Sequence, residues 1–391
     1  MKNKAKSSKN SPVPPKEVAT RPRWLVQNYF YPIGTLPGRS SAHASQAIAG
    51  VLQGGVQTLH VVWFGGSGEG KIDTRVMYSR ITYKPAELLS CPLVKPNDDP
   101  FEPLNNDFFT YSVPRVIGSV PNRACGNAVP FIDVHGRFHL WFAAFYTEGS
   151  DVPDGEDNGR REIFYQYSDD TGKTWSKPII WSDRPGLWVR NALVVLDDGT
   201  WLFPINDEET FLPEYDCDWS TRFAFSHDEG KTWAFSKLYS VPKLPGAQRG
   251  GIIQPTVVQL ADGSLYCLNR SHTGWVVEMR SFDRGKTWTT PANTTLPHPE
   301  SNICMIRRKP RGTSKGDLLL AYNPSPHHRY PISIAQSVDD GKTWNKCFDL
   351  RDEQGELSYP CLVETPDGLL HCTYSLHRMT IAHDVFMLDM P

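Results

Sequence analysis

Apolar residues along the chain fall into short runs that polar turn-makers interrupt at regular intervals. The clearest cases are ALVVLDDGTWLFPI, TVVQLADGSLYCLN and CLVETPDGLLHCTY, each split by an Asp-Gly pair: Asp198-Gly199, Asp262-Gly263 and Asp367-Gly368. Asp-Gly between two apolar runs predicts a tight β-hairpin, because both positions tolerate the positive φ that such turns need. His135-Gly136 and Lys315-Gly316 are weaker versions, and Gln53-Gly54-Gly55 is a longer one.

A second turn interleaves with the first. Ser168–Trp175, Ser226–Trp233, Ser281–Trp288 and Ser337–Trp344 all read Ser-x-Asp-x-Gly-Lys-Thr-Trp. Their aspartates Asp170, Asp228, Asp283 and Asp339 are spaced by 58, 55 and 56 residues. Here too the chemistry is that of a turn. Aspartate accepts backbone N–H bonds, glycine supplies positive φ, and Thr and Trp cover the corner. These boxes are read as structural.

One hairpin of each kind per period makes a four-stranded antiparallel unit, the blade of a propeller. First strands open near His43, Asn127, Asn191, Gln254, Asn302 and Tyr359, so the expected fold is all-β, a six-bladed β-propeller. Blade 1 carries only a degenerate box around Tyr78-Ser79-Arg80, and blade 6 lacks one. The run Trp24–Tyr31 is therefore expected to return to blade 6 and close the ring, which hides sheet edges. The domain reading is a disordered tail over 1–23, rich in Lys, Ser and Pro, and one propeller over 24–391.

Composition narrows the function. Of 391 residues, 12% are aromatic, with Pro 32, Gly 30 and Trp 12, which fits many short strands. Lys+Arg 41 against Asp+Glu 43 gives a net charge of −2, which argues against nucleic acid or an anionic membrane surface as partner. The eight cysteines show no metal-ligand spacing and are read as unpaired thiols; no metal and no cofactor are expected. The absence of a secretory segment and of a long apolar run leads to an expected cytoplasmic location without membrane insertion. Oligomeric state stays open.

In a four-stranded meander the Asp-Gly turns and the boxes share one end. First-strand starts and second-strand ends share the other, near the axis. Asn127, Gln254 and Tyr359 each lie nine residues before their turn glycine, and Asn191 lies eight before. The second-strand ends add Glu69 and Asp73 (blade 1), Asp207 and Glu208 (blade 3) and Arg270 (blade 4). Blade 5 adds His327, His328 and Arg329, blade 6 adds His377 and Arg378, and Arg190 is assigned to the same rim. Such a gathering suits a small carboxylated or hydroxylated ligand, since arginine grips carboxylate through a planar fork.

The boxes and the stretches HAS…WFGGSGEG (43–70), CGN (125–127), RNALVVLDDGTWLFPI (190–205), IIQPTVVQLADG (252–263) and SYPCLVETPDG (358–368) resemble the sialidase (neuraminidase) superfamily, in its predicted-neuraminidase-like branch. The resemblance covers about residues 40–385. It implies Arg270 and Arg329 as the second and third carboxylate-binding arginines, with His43 where the first would stand. It implies Tyr359 as nucleophile, a neutral group suited to an anomeric carbon that bears a carboxylate. Gln254 occupies the place of the tyrosine's partner glutamate, and Glu69 or Asp73 that of the acid/base. Glu208 and Glu300 are the candidate replacements for the missing base.

The resulting expectation is an exo-glycosidase that removes a terminal acidic sugar, sialic acid or a relative. Tyr359, Glu69, Asp73 and Glu208 are its catalytic candidates. His43, Asn127, Arg190, Asn191, Gln254, Arg270, Asn302, Arg329 and Arg378 are its substrate-binding candidates. Two alternatives remain open at this point: a polysaccharide lyase acting on uronates through His43 and Tyr359, and a catalytically inactive carbohydrate-binding propeller.

Overall fold

The computed structural model describes residues 22–29, 41–89, 108–151, 160–310 and 315–388. Most of the expected tail and Cys91 lie outside the described residues. The described chain forms six antiparallel sheets in sequence order around one axis. Blades 2 and 4 each follow the simple meander, Ala124–Ile132 to Ile179–Ser182 and Ile252–Gln259 to Ala292–Pro297. Blade 1 opens with Ser41–Ala49 and shares its outer position between Phe109–Tyr111 and Arg115–Gly118, both paired to Arg75–Tyr83. In blade 3 the inner strand is broken into Leu187–Val189 and Val194–Val195. Blade 5 runs from Cys304–Arg307 to Asn345–Arg351.

Blade 6 is completed from the other end of the chain. Pro22–Tyr29 pairs antiparallel with Thr380–Leu388, outside Leu370–Leu376 and Leu357–Glu364. The expected closing strand is therefore present, beginning two residues earlier than Trp24.

Each box builds the same turn. In the fourth, Ser337 Oγ donates to Asp339 Oδ1 at 2.8 Å, and Asp339 accepts from Thr343 N at 2.9 Å and Thr343 Oγ1 at 2.7 Å. Gly341 N returns to Ser337 Oγ at 2.8 Å. The first three boxes repeat these bonds. Threonine and serine donors hold the Asp170 and Asp228 carboxylates below the usual range, Asp228 at about 2. Glycine is required at Gly341, where φ is +81° and a Cβ would meet the Tyr266 ring of the preceding blade at 2.3 Å.

Between blades lie six separate apolar cores, one per joint. Trp63 and Met77 pack with Ile381 and Val385 at the 1–6 joint, Phe203 with Trp141 at 2–3, and Leu320 with Leu268 at 4–5. Alternation along each strand supplies one face to each neighbour, so almost every apolar strand residue is buried. A cavity of about 270 Å³ enters the axis from the Asp-Gly end, lined by first-strand residues of all six blades such as Gln46, Pro130, Leu193, Thr256, Cys304 and Cys361. All seven described cysteines are free thiols. No helix among the described residues is long and apolar enough to cross a membrane.

Candidate active site

The opposite end of the axis is shaped by a repeated backbone irregularity. First strands of blades 1, 2, 4 and 6 slip register between His43 and Gln46, Gly126 and Val129, Ile253 and Thr256, and Ser358 and Cys361. Each slip is a β-bulge carrying one non-glycine residue in the left-handed region: Ala44 (φ 57°), Asn127 (49°), Gln254 (53°) and Tyr359 (57°). Such a conformation costs about 1–3 kcal/mol per residue and persists only where the surroundings impose it. It turns three polar side chains and one methyl toward the centre.

His43 is thus not the equivalent of Asn127, Gln254 and Tyr359; Ala44 is. The connection between Ala49 and Gln57 in blade 1 spans seven residues, against five between Gln259 and Leu265 in blade 4, which offsets a count made from the glycine. His43 nevertheless lies in the centre, fully buried, with its ring 4.4 Å from the Tyr359 ring and 5.4 Å from Phe64. Burial, reinforced by Arg378, Arg190, Arg329 and Arg270, pushes its pKa well down, so the imidazole is neutral.

Tyr359 is the focus. Its Oη accepts from Arg270 Nη1 at 3.1 Å, and the same nitrogen donates to Gln254 Oε1 at 3.2 Å. The Arg329 guanidinium stands 5.7 Å from its ring centroid. Burial pushes the phenol pKa up, but Arg270 and Arg329 outweigh burial and the net shift is downward. Arg270 itself lies over Trp219, its Cζ 5.0 Å from the ring centroid.

Arg378 joins from blade 6. Its Nε donates to Glu356 Oε2 at 2.7 Å, and its Nη1 pairs with Glu69. Glu356 also receives Arg329 Nη1 at 2.8 Å, so one carboxylate bridges two arginines. Burial opposes the Glu356 charge, yet Arg378 and Arg329 keep its pKa below the usual range. The Arg378 field reaches His43 and Tyr359. Three arginines, Arg270, Arg329 and Arg378, therefore surround the phenol.

Other expected site residues have different places. Arg190 does not reach the rim: it is 1% exposed and lies under the site, 5.1 Å from the Tyr359 ring. It donates to the carbonyls of Ala44 (3.2 Å), Ser45 (3.1 Å) and Tyr359 (3.3 Å), pinning two bulges together. Burial lowers its pKa to about 10. Asn191 is buried too, and ties blade 3 to the blade 4 bulge through Gln254 O at 2.9 Å and Pro255 O at 3.1 Å. Asp73 accepts from Ser67 N at 3.0 Å and Ser67 Oγ at 2.8 Å, which folds the 67–74 loop and leaves Glu69 as that loop's carboxylate at the centre.

Glu208 receives Asn206 Nδ2 at 2.6 Å and lies 3.9 Å from Arg161. Burial raises its pKa to about 7, against the opposing pull of Arg161 and Arg270. Asn127 is half-buried at its bulge, while Asn302 is fully buried with neither end of its amide hydrogen-bonded. Glu300 pairs with His272, Nδ1 to Oε1 at 2.5 Å. Glu356, Trp219 and His272 were not singled out by sequence; the only trace of Glu356 is an acidic residue three positions before Tyr359.

An arginine-ringed tyrosine on the axis of a six-bladed propeller with Asp-box turns defines a sialidase-type architecture. The chain belongs to the BNR repeat-like domain family, whose match spans residues 57–372. It is similar to a sialidase of Bacteroides fragilis, 27% identical over 69% of this chain and 50% of the relative. It is also similar to an anhydrosialidase of Macrobdella decora, 23% identical over 58% of this chain and 31% of the relative. The chain thus spans half or less of these relatives. Among solved structures, the intramolecular trans-sialidase of Ruminococcus gnavus superposes with a TM-score of 0.66 at 14% identity, covering 93% of this chain and 99% of that one. These matches lend no support to the uronate-lyase or inactive-binder readings.

Proposed function

We propose that the protein is a sialidase-like glycoside hydrolase that removes a terminal acidic sugar with Tyr359 as nucleophile. The observation that carries this reading is the Tyr359 phenol, hydrogen-bonded to Arg270 at 3.1 Å and lowered in pKa by Arg270 and Arg329 against the effect of burial. Arg270, Arg329 and Arg378 receive the sugar carboxylate, with Arg378 standing in for the arginine that blade 1 does not supply. The substrate carboxylate then competes with Glu356, which holds Arg329 and Arg378 in its absence.

Tyr359 Oη attacks the anomeric carbon and the glycosidic bond breaks. Glu69 delivers a proton to the leaving oxygen, and water later hydrolyses the glycosyl-tyrosine. Gln254 cannot accept the phenol proton. The arginine field compensates by stabilising the phenolate directly, so an amide suffices at the blade 4 bulge. Glu208, with a pKa near 7 and within the field of Arg270, is the carboxylate suited to take up that proton.

The test is release of 4-methylumbelliferone from its sialic acid glycoside by the purified chain, alongside Tyr359→Phe. Turnover that disappears in Tyr359→Phe supports the proposal. No turnover by the wild type on any sialoside, or turnover indifferent to Tyr359→Phe, overturns it.

A further inference from the structure

The axial cavity at the Asp-Gly end, which the chemistry above does not use, has two thiols in its wall. Cys304 comes from the first strand of blade 5 and Cys361 from that of blade 6. At about 270 Å³ the cavity is far larger than the roughly 30 Å³ that one water occupies. A molecule the size of hydrogen peroxide therefore fits beside the sulfurs.

Backbone of neighbouring blades fixes both side chains. Leu362 N, adjacent to Cys361 in the chain, donates across the joint to Cys304 Sγ at 3.3 Å. Ala47 N of blade 1 donates to Cys361 Sγ at 3.2 Å. The Arg190 guanidinium, which hydrogen-bonds to three backbone carbonyls, lies within the field of both sulfurs and of Tyr359. Cys361 thus stands two residues from Tyr359, on the same bulged strand and beside the same buried cation.

The two thiols differ in character. A hydrogen bond from the Cys304 thiol, helped by Ala47 N–H and Arg190, outweighs burial and lowers the Cys361 pKa. The same hydrogen bond and burial push Cys304 well up. One sulfur is prepared to act as thiolate, and the other stands next to it as a thiol. The remaining described cysteines lack this combination. Cys347 is more exposed, yet burial pushes its pKa up to about 11. Cys372 is fully buried and lies outside the cavity wall.

We propose that Cys361 and Cys304 form a peroxide-reactive dithiol, oxidised by a hydroperoxide that enters the axial cavity to a disulfide bridging blades 5 and 6. The Cys361 thiolate attacks a peroxide oxygen: an S–O bond forms, the O–O bond breaks, and the departing hydroxide takes up a proton as water. Cys304 sulfur then attacks the Cys361 sulfenic acid. An S–S bond forms, the S–O bond breaks, and the hydroxyl leaves as a second water with the Cys304 proton. Two electrons pass from the sulfurs to the peroxide. This chemistry is independent of the hydrolase reading.

The experiment exposes the intact, reduced protein to hydrogen peroxide, then denatures it, alkylates the remaining thiols and maps the peptides by mass spectrometry. A Cys304–Cys361 cross-linked peptide is expected, reversed by dithiothreitol and formed about tenfold or more faster than any oxidation of Cys347. In Cys304→Ser, dimedone is expected to trap a sulfenic acid on Cys361; in Cys361→Ser, Cys304 is expected to stay reduced. The wild-type peptide map needs no variant to fold. Absence of the cross-link, its appearance only after denaturation, or oxidation of Cys347 ahead of the pair overturns the proposal. Sulfenic acid on Cys304 in Cys361→Ser, formed as fast as the wild-type cross-link, overturns the order of attack.

Discussion

Two features of this propeller repeat, and they repeat in opposite ways. At the outer turns, Ser-x-Asp-x-Gly-Lys-Thr-Trp recurs with the same residues and the same hydrogen bonds in four blades. On the axis, four bulges recur with nearly the same φ but carry Ala44, Asn127, Gln254 and Tyr359. The turns keep side chain and backbone together because the side chain makes the turn. The bulges keep only the backbone, since their purpose is to aim whatever side chain stands there. A repeated geometry bearing different chemistry marks where function departs from scaffold, and here the departure is concentrated at Tyr359.

Four substitutions would break or sharpen that contrast. Tyr359→Phe should lower sialoside turnover by about 10³-fold or more while the melting temperature stays close to wild type, read by initial rates and calorimetry. Arg378→Ala should raise KM for the sialoside by about 10- to 100-fold with a smaller change in kcat, because a charged hydrogen-bond partner of the carboxylate is lost.

Gly341→Ala should do the reverse. Strained φ and the clash with Tyr266 should cost about 2–4 kcal/mol in denaturant unfolding, with activity per folded molecule unchanged. An active-site effect from that turn would erase the division between the two repeats. Glu208→Gln should have the mildest effect on stability, a change in its pH profile, while turnover falls because an amide cannot take up the Tyr359 proton. Because the folded pKa of Glu208 is raised to about 7, the folded state holds a proton that the unfolded chain has released. Stability contributed there is present below the unfolded value and is lost as pH rises toward 7. Wild type should therefore lose melting temperature between pH 5 and 7 relative to Glu208→Gln, and run parallel to it above.

Nearly the whole fold was legible in the sequence because the turns are local. An Asp-Gly pair or a box declares itself within eight residues, and counting such turns gives the blades, their order and even the closing strand. The centre was legible where a residue's place follows from its own strand, as for Tyr359, Arg270 and Arg329. It was obscured where place depends on register or on packing across blades. His43 aligns with the bulge residues in the sequence although Ala44 holds that position, because the connection between the first two strands of blade 1 is longer. Arg190 read as a rim arginine until a break in the blade 3 strand turned it beneath the site. Glu356 bridges Arg329 and Arg378, which meet only once the ring is closed.

The closing strand has a kinetic meaning as well as an architectural one. Pro22 pairs with Leu388, and Tyr29 with Ala382, so the first described strand finds its partner only after nearly the whole chain exists. That pairing closes a loop of nearly the whole chain, and it covers the edge that blade 6 would otherwise expose. The neighbouring joint between blades 6 and 1 brings Arg378 beside Glu69 and joins Ala42 N to Arg378 O at 2.9 Å. The contacts of Arg378 therefore join blade 6 to blade 1, the two blades that only a closed ring brings side by side.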